Sequence, residues 1–231
     1  MPSEMRGRSC LAAAAALTAA ISAAATVAAQ APTPAKAPFS VIADLSSAGR
    51  LDEWTLDGSG AWAIRDGLLL LEKAGVPAGP IRRPGALAIL KTPPLGDSSI
   101  ELEMRSDAPE DVIHRDLLLV VGWQSPSRLY YVHLSAIRDN VHNGIFVVDH
   151  ADRRRIDDAS DRPALKDRAW HKARLVRTAS TGRLEVFVDG EATPIMTATD
   201  RSIPSGRLGV GSFDDAGAFR SIRVQGVPAG R

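Results

Sequence analysis

Residues 129–148 read LYYVHLSAIRDNVHNGIFVV. Two apolar runs, Leu129–Leu134 and Ile145–Val148, flank a polar insert from Arg138 to Gly144. Successive side chains of an extended chain point to opposite faces. Tyr130, Val132 and Leu134 therefore share one face, and Leu129, Tyr131, His133 and Ser135 share the other. The spacing predicts two strands joined by a polar loop, with the Val132 face in a core. Tyr131 and His133 then face away from that core, toward a groove rimmed by the loop carrying Arg138, Asp139, His142 and Asn143.

The same grammar extends in both directions. In Trp62–Leu71, Asp66-Gly67 supplies the positive φ angles of a hairpin turn. Ile100, Leu102 and Met104 alternate with Glu101, Glu103 and Arg105, giving one buried and one wet face. Leu117–Trp123 is more uniformly apolar, as expected of a central strand covered on both sides. Trp170–Arg177 and Arg183–Val188 form a second hairpin; Asp189-Gly190 turns into Ile195–Ala198, and Arg207–Ser212 and Phe219–Val224 follow. Phe39–Leu45 reads as a first strand and Ala86–Lys91 as another, while the Gly/Pro-rich stretch 73–84 reads as loop. One helical turn is expected after Asp161, acting as N-cap before Pro163. About a dozen short strands at even spacing mean an all-β, two-sheet antiparallel sandwich.

At the start of the chain, Arg6 and Arg8 precede an Ala-rich apolar run, Cys10–Ala29. That is the pattern of a secretory signal peptide, with Val27-Ala28-Ala29 as cleavage site and a secreted or periplasmic destination. Residues 1–29 are read as signal, 30–38 as a Pro/Ala linker and 39–231 as one β-sandwich domain. Cleavage would remove the one cysteine, leaving a core that stands without disulfides. It would also remove Glu4, Arg6 and Arg8 from 27 acidic and 28 basic residues, leaving 26 of each. Zero net charge with mixed signs argues against nucleic acid and anionic membranes as partners.

Four stretches, WAIRDGLLLL (62–71), LKTPPLGDSSIELEMR (90–105), WHKARLVRTASTGRLEVFVDG (170–190) and GRLGVGSFDDAGAFRSIRV (206–224), carry a family resemblance. The chain resembles the concanavalin A-like lectin/glucanase jelly-roll superfamily. Within it, the chain looks closest to laminin-G-like modules and to the bacterial 3-keto-disaccharide hydrolase domain family. The resemblance implies a jelly-roll fold and a carbohydrate ligand. Two departures stand out. The Glu-x-Asp-x-x-Glu strand of the glucanases is missing, and Arg220 stands where many members place a calcium-binding aspartate.

The residues nominate several sites. Trp123, Tyr131, His133, Arg138, Asp139, His142 and Asn143 offer aromatic rings for sugar faces and polar groups for hydroxyls. His133 and Glu103 are the acid/base candidates. Asp214 and Asp215 are the calcium candidates, with an Asx turn as the structural alternative. A transition metal held by His133, Asp139, His142 and His150 matches no familiar spacing. Trp54, Trp62 and Trp170 are expected in the core. Together these point to a carbohydrate-binding module without a cofactor. A glycan-processing hydrolase and a laminin-G-like protein-interaction domain are the alternatives.

Overall fold

The computed structural model describes residues 37–46, 50–160 and 162–230. The expected signal peptide, most of the linker and the Asp161 cap lie outside the described residues. The described residues form sixteen strands in order: β1 (Phe39–Ile42), β2 (Trp54–Gly58), β3 (Ala61–Arg65), β4 (Leu68–Lys73), β5 (Ala86–Leu90) and β6 (Leu95–Ser106). Next come β7 (Asp116–Ser125), β8 (Arg128–Ser135), β9 (Gly144–Asp149), β10 (Arg154–Arg155) and β11 (Asp157–Ser160). The last are β12 (His171–Thr178), β13 (Arg183–Val188), β14 (Met196–Thr199), β15 (Arg207–Ser212) and β16 (Gly217–Pro228). A short 3-10 turn, Leu51–Glu53, is the helical element among the described residues, and none of these is long and apolar enough to cross a membrane. The turn expected before Trp170 is made of bends instead.

Two antiparallel sheets result. One runs β11-β14-β13-β12-β6-β16-β4-β3, with β1 also on β16; the other runs β10-β9-β8-β7-β15-β5-β2. Asp66 and Gly67 take φ of 54° and 75°, and Asp189 and Gly190 take 53° and 76°, as their hairpin turns require.

The core between the sheets follows from the alternation. Leu102 and Met104 of β6 meet Leu117, Leu119 and Val121 of β7 and Tyr130, Val132 and Leu134 of β8 in one buried cluster. The outer face of the nine-stranded sheet is partly wet, with Glu101, Glu103 and Arg105 half-buried. The seven-stranded sheet behaves differently. Leu118, Val120, Leu129, Tyr131, Phe146 and Val148 point away from the inter-sheet core and form a second buried cluster with Leu87, Ile89 and Trp123. Burial on both faces accounts for the uniform apolarity of β7.

Candidate functional site

The chemistry concentrates where β7 begins and β8 ends. Asp116, the first residue of β7, is buried, and its carboxylate ties down the turn after β15. It accepts hydrogen bonds from the Phe213 amide (2.9 Å) and the Ser212 hydroxyl (3.1 Å). The tie is reciprocal, because the Asp215 carboxylate accepts the Asp116 amide at 2.7 Å. Burial opposes ionisation of Asp116, but the charge of His133 and these donors outweigh it and hold the carboxyl below its usual range. Asp215 is left facing a buried anion. Its own burial, then the Asp116 charge, push it up to about 6.

His133 Nε2 lies 3.1 Å from Asp116 Oδ2, in an ion-pair contact that is not aligned as a hydrogen bond. Nδ1 of the same ring donates to the Val141 carbonyl at 3.0 Å. The ring stacks on Phe213, with centroids 5.5 Å apart. Tyr131, two residues back on the same face, stacks on Phe146 at 5.2 Å. Its hydroxyl accepts from Arg153 at 3.1 Å, and the Arg153 guanidinium lies over the Phe213 ring (4.3 Å) and the Phe146 ring (4.9 Å). Burial raises the Tyr131 phenol well above its ordinary value.

This geometry corrects one expectation. Tyr131 and His133 do point away from the inter-sheet core, but they do not line an open groove: they are 0% and 2% exposed. Phe213 and Arg153 reach over them from other loops, and Phe213 and Ile81 pack against the outer cluster. Asn143 is buried too. At φ 47° it accepts the Ser135 amide on Oδ1 and donates to the Arg162 carbonyl from Nδ2 at 2.7 Å, so it fastens the loop.

Arg138, Asp139 and His142 stay at the surface, with His142 half-buried. Asp139 Oδ1 accepts the Val141 and His142 amides, each at 2.8 Å, and His142 Nδ1 donates to the same carboxylate at 2.8 Å. Partial burial would raise Asp139, but the His142 ring and the two amides prevail and lower it to about 2. From beneath, Arg155 donates to the carbonyls of Asp139, His142 and Asn143 while paired with Asp157 at 2.7 Å. The loop is thus built rather than slack.

One participant escapes the sequence reading. His114, exposed in the loop before β7, stacks on His142 with centroids 4.7 Å apart; His133 lies 5.3 Å from His142. Three imidazoles from two separate loops and a strand therefore converge. One ligand atom from each of His114, Asp139 and His142 lies within 4.8 Å of the others. Nothing in the local pattern marks His114 or Asp116, except that charged residues precede an apolar run.

The remaining candidates lie apart. Trp123 belongs to the outer cluster at 8% exposure, so it is no open platform for a sugar. It also sits roughly 16 Å along β7 from Leu118, the partner of His133. Glu103 is on the outer face of the other sheet, with the core between it and His133. Arg220 Nε donates to it at 2.8 Å, and that bond first of all keeps its carboxyl low. Trp170 leaves the core it was expected to join. It is half-buried there, with the guanidinium groups of Arg220 and Arg105 at 4.1 and 5.0 Å from its ring, while Trp54 and Trp62 are buried in the core. Asp214 is exposed, and Asp215 serves the β15 turn; neither belongs to the metal-competent group among the described residues, nor does His150.

No family model matches the chain, and no curated protein matches it. Solved structures do. The carbohydrate-binding module CBM66 from Bacillus subtilis superposes with a TM-score of 0.56 at 14% identity, covering 74% of this chain and 94% of that one. The basic winged bean lectin with Tn-antigen gives 0.55 at 14% identity, over 84% of this chain and 100% of the lectin. A Bacillus subtilis protein with a galectin-like fold gives 0.55 at 14% identity, over 86% and 99%. At such identities the likeness concerns the fold alone: an all-β, two-sheet antiparallel jelly-roll sandwich of the concanavalin A-like kind.

Proposed function

We propose that this chain is an exported, secreted or periplasmic carbohydrate-binding domain whose ligand meets the loop surface at the β7–β8–β9 end. The observation carrying this reading is the pairing of exposed polar groups with a rigid support. Arg138, Asp139, His142 and His114 present charge and imidazole edges at the surface, while Arg155 and Asn143 hold the loop from below. Ligand sites favour such loops on rigid scaffolds, and several solved structures of this fold are carbohydrate-binding proteins by name. Tyr131, His133 and Asn143 act in this reading as supports, not as contacts.

A second reading, a glycan-processing hydrolase resembling the 3-keto-disaccharide hydrolases, draws on one observation. Asp215, at about 6, stands beside the Asp116–His133 pair, so one carboxyl of the group can carry a proton near neutrality. A screen against polysaccharides and 3-keto-glycosides, scoring binding and product release separately, tests both. Binding without release that is lost in Asp139→Ala supports the module; release lost in Asp215→Asn supports the enzyme. No binding and no release would leave the protein-interaction alternative.

A further inference from the structure

We propose that His114, Asp139 and His142 form a binding site for a divalent transition metal of the zinc type. The proposal stands apart from the glycan reading, although the two share a surface. Its basis is the convergence of two nitrogen donors and one carboxylate from two loops, with ligand atoms within 4.8 Å of one another. Among the described residues no hydrogen bond engages either ring nitrogen of His114 or Nε2 of His142. Asp139 Oδ1 takes both loop amides, and Oδ2 faces His142 Nδ1 at 2.8 Å, a contact in which a metal would take the place of the ring proton.

Donor type selects the metal. Two imidazoles and a carboxylate suit zinc and its neighbours, whereas calcium and magnesium ask for an all-oxygen shell. The distances are close to what is needed. Metal–ligand bonds of about 2.0–2.1 Å at tetrahedral angles put ligand atoms roughly 3.3 Å apart, so the widest gap must close by about 1.5 Å. His114 is exposed and can swing by that amount. His142 is the better-fixed member, because the Arg155 bonds and the Asp139 contact set its loop. Three protein ligands leave a coordination position open to water or to an oxygen of a bound molecule.

The test is a titration of the untagged full chain with zinc chloride by calorimetry, and with cobalt chloride by visible absorption. One equivalent should bind, with the visible bands of low-coordinate cobalt, and calcium chloride should give no heat. His114→Ala is the decisive variant. That ring stands on a separate loop and touches the Asp139–His142 pair only by stacking, so its removal should leave the melting temperature unchanged and weaken zinc at least tenfold. Asp139→Ala and His142→Ala should also weaken zinc at least tenfold, while His150→Ala and His171→Ala should bind as wild type. Unaltered zinc affinity in His114→Ala, or loss of binding in His150→Ala or His171→Ala, would place the cation elsewhere and overturn the proposal, as would the absence of saturable binding. Glycan binding is scored on chelator-treated protein, so either reading can fail without the other.

Discussion

The Asp116 carboxylate and the His133 imidazole meet 3.1 Å apart on neighbouring strands, each with its side chain 2% exposed. Asp116 also holds the amides of Phe213 and Asp214. The pair therefore joins the end of β8 to the turn after β15, and it governs what happens when the outer face of the seven-stranded sheet is altered.

Replacing Tyr131 and His133 together by alanine is expected to be costly. On an exposed face the double change would leave the melting temperature within a few degrees. In the structure it removes a stacked, buried phenol and takes away the imidazole that faces the buried Asp116 carboxylate at 3.1 Å. Truncating one buried aromatic costs about 3–5 kcal/mol, and the unpaired carboxylate adds to that. Urea denaturation measures it, and an unchanged midpoint would return both residues to solvent.

Asp215→Asn is expected to stabilise the protein at neutral pH only. The folded-state value of Asp215, about 6, lies above that of an unfolded aspartate. The native state therefore binds the extra proton across a window from about pH 4 to 6, and stability falls as pH rises through it. Asparagine keeps an oxygen for the Asp116 amide and drops the charge. The gain should be about 1 kcal/mol at pH 7.5, discounted for solvent screening, and absent at pH 4. Equal shifts at both pH values would show that charge is not the cause.

Arg155→Ala should loosen the 138–143 loop without melting the sandwich. Three carbonyls lose their donor and Asp157, whose side chain is 5% exposed, loses its ion pair. Each buried group left unsatisfied costs about 1–3 kcal/mol. Amide hydrogen exchange should quicken at Val141 and His142 and stay slow in β6 and β12. Uniform quickening across both sheets would instead make Arg155 a global support.

Val132→Asp tests the assignment of faces. Val132 is fully buried in the inter-sheet cluster. An unpaired carboxylate there costs several kcal/mol against a total stability of about 5–15, so cooperative melting should be lost. A cooperative transition at the wild-type temperature contradicts the alternation on which the fold rests.

The sequence alone determined the class of fold, most strands and the core face of β8. Asp66-Gly67 and Asp189-Gly190 carry their turns locally, and the period of two in Tyr130, Val132 and Leu134 states which side meets the other sheet. These signals are short-range, because each depends on neighbouring residues and on one buried face. The tertiary structure alone decided that the opposite face is covered. Phe213 comes from the turn after β15, Arg153 from the loop after β9 and Ile81 from the Gly/Pro-rich stretch; no local pattern records that Phe213 and Arg153 meet at Tyr131, or that Ile81 packs against the outer cluster. For the same reason only the fold could bring His114 to Asp139 and His142, and carry Trp170 out between two arginines. Periodicity says which way a side chain points, while long-range chain return determines what it meets there.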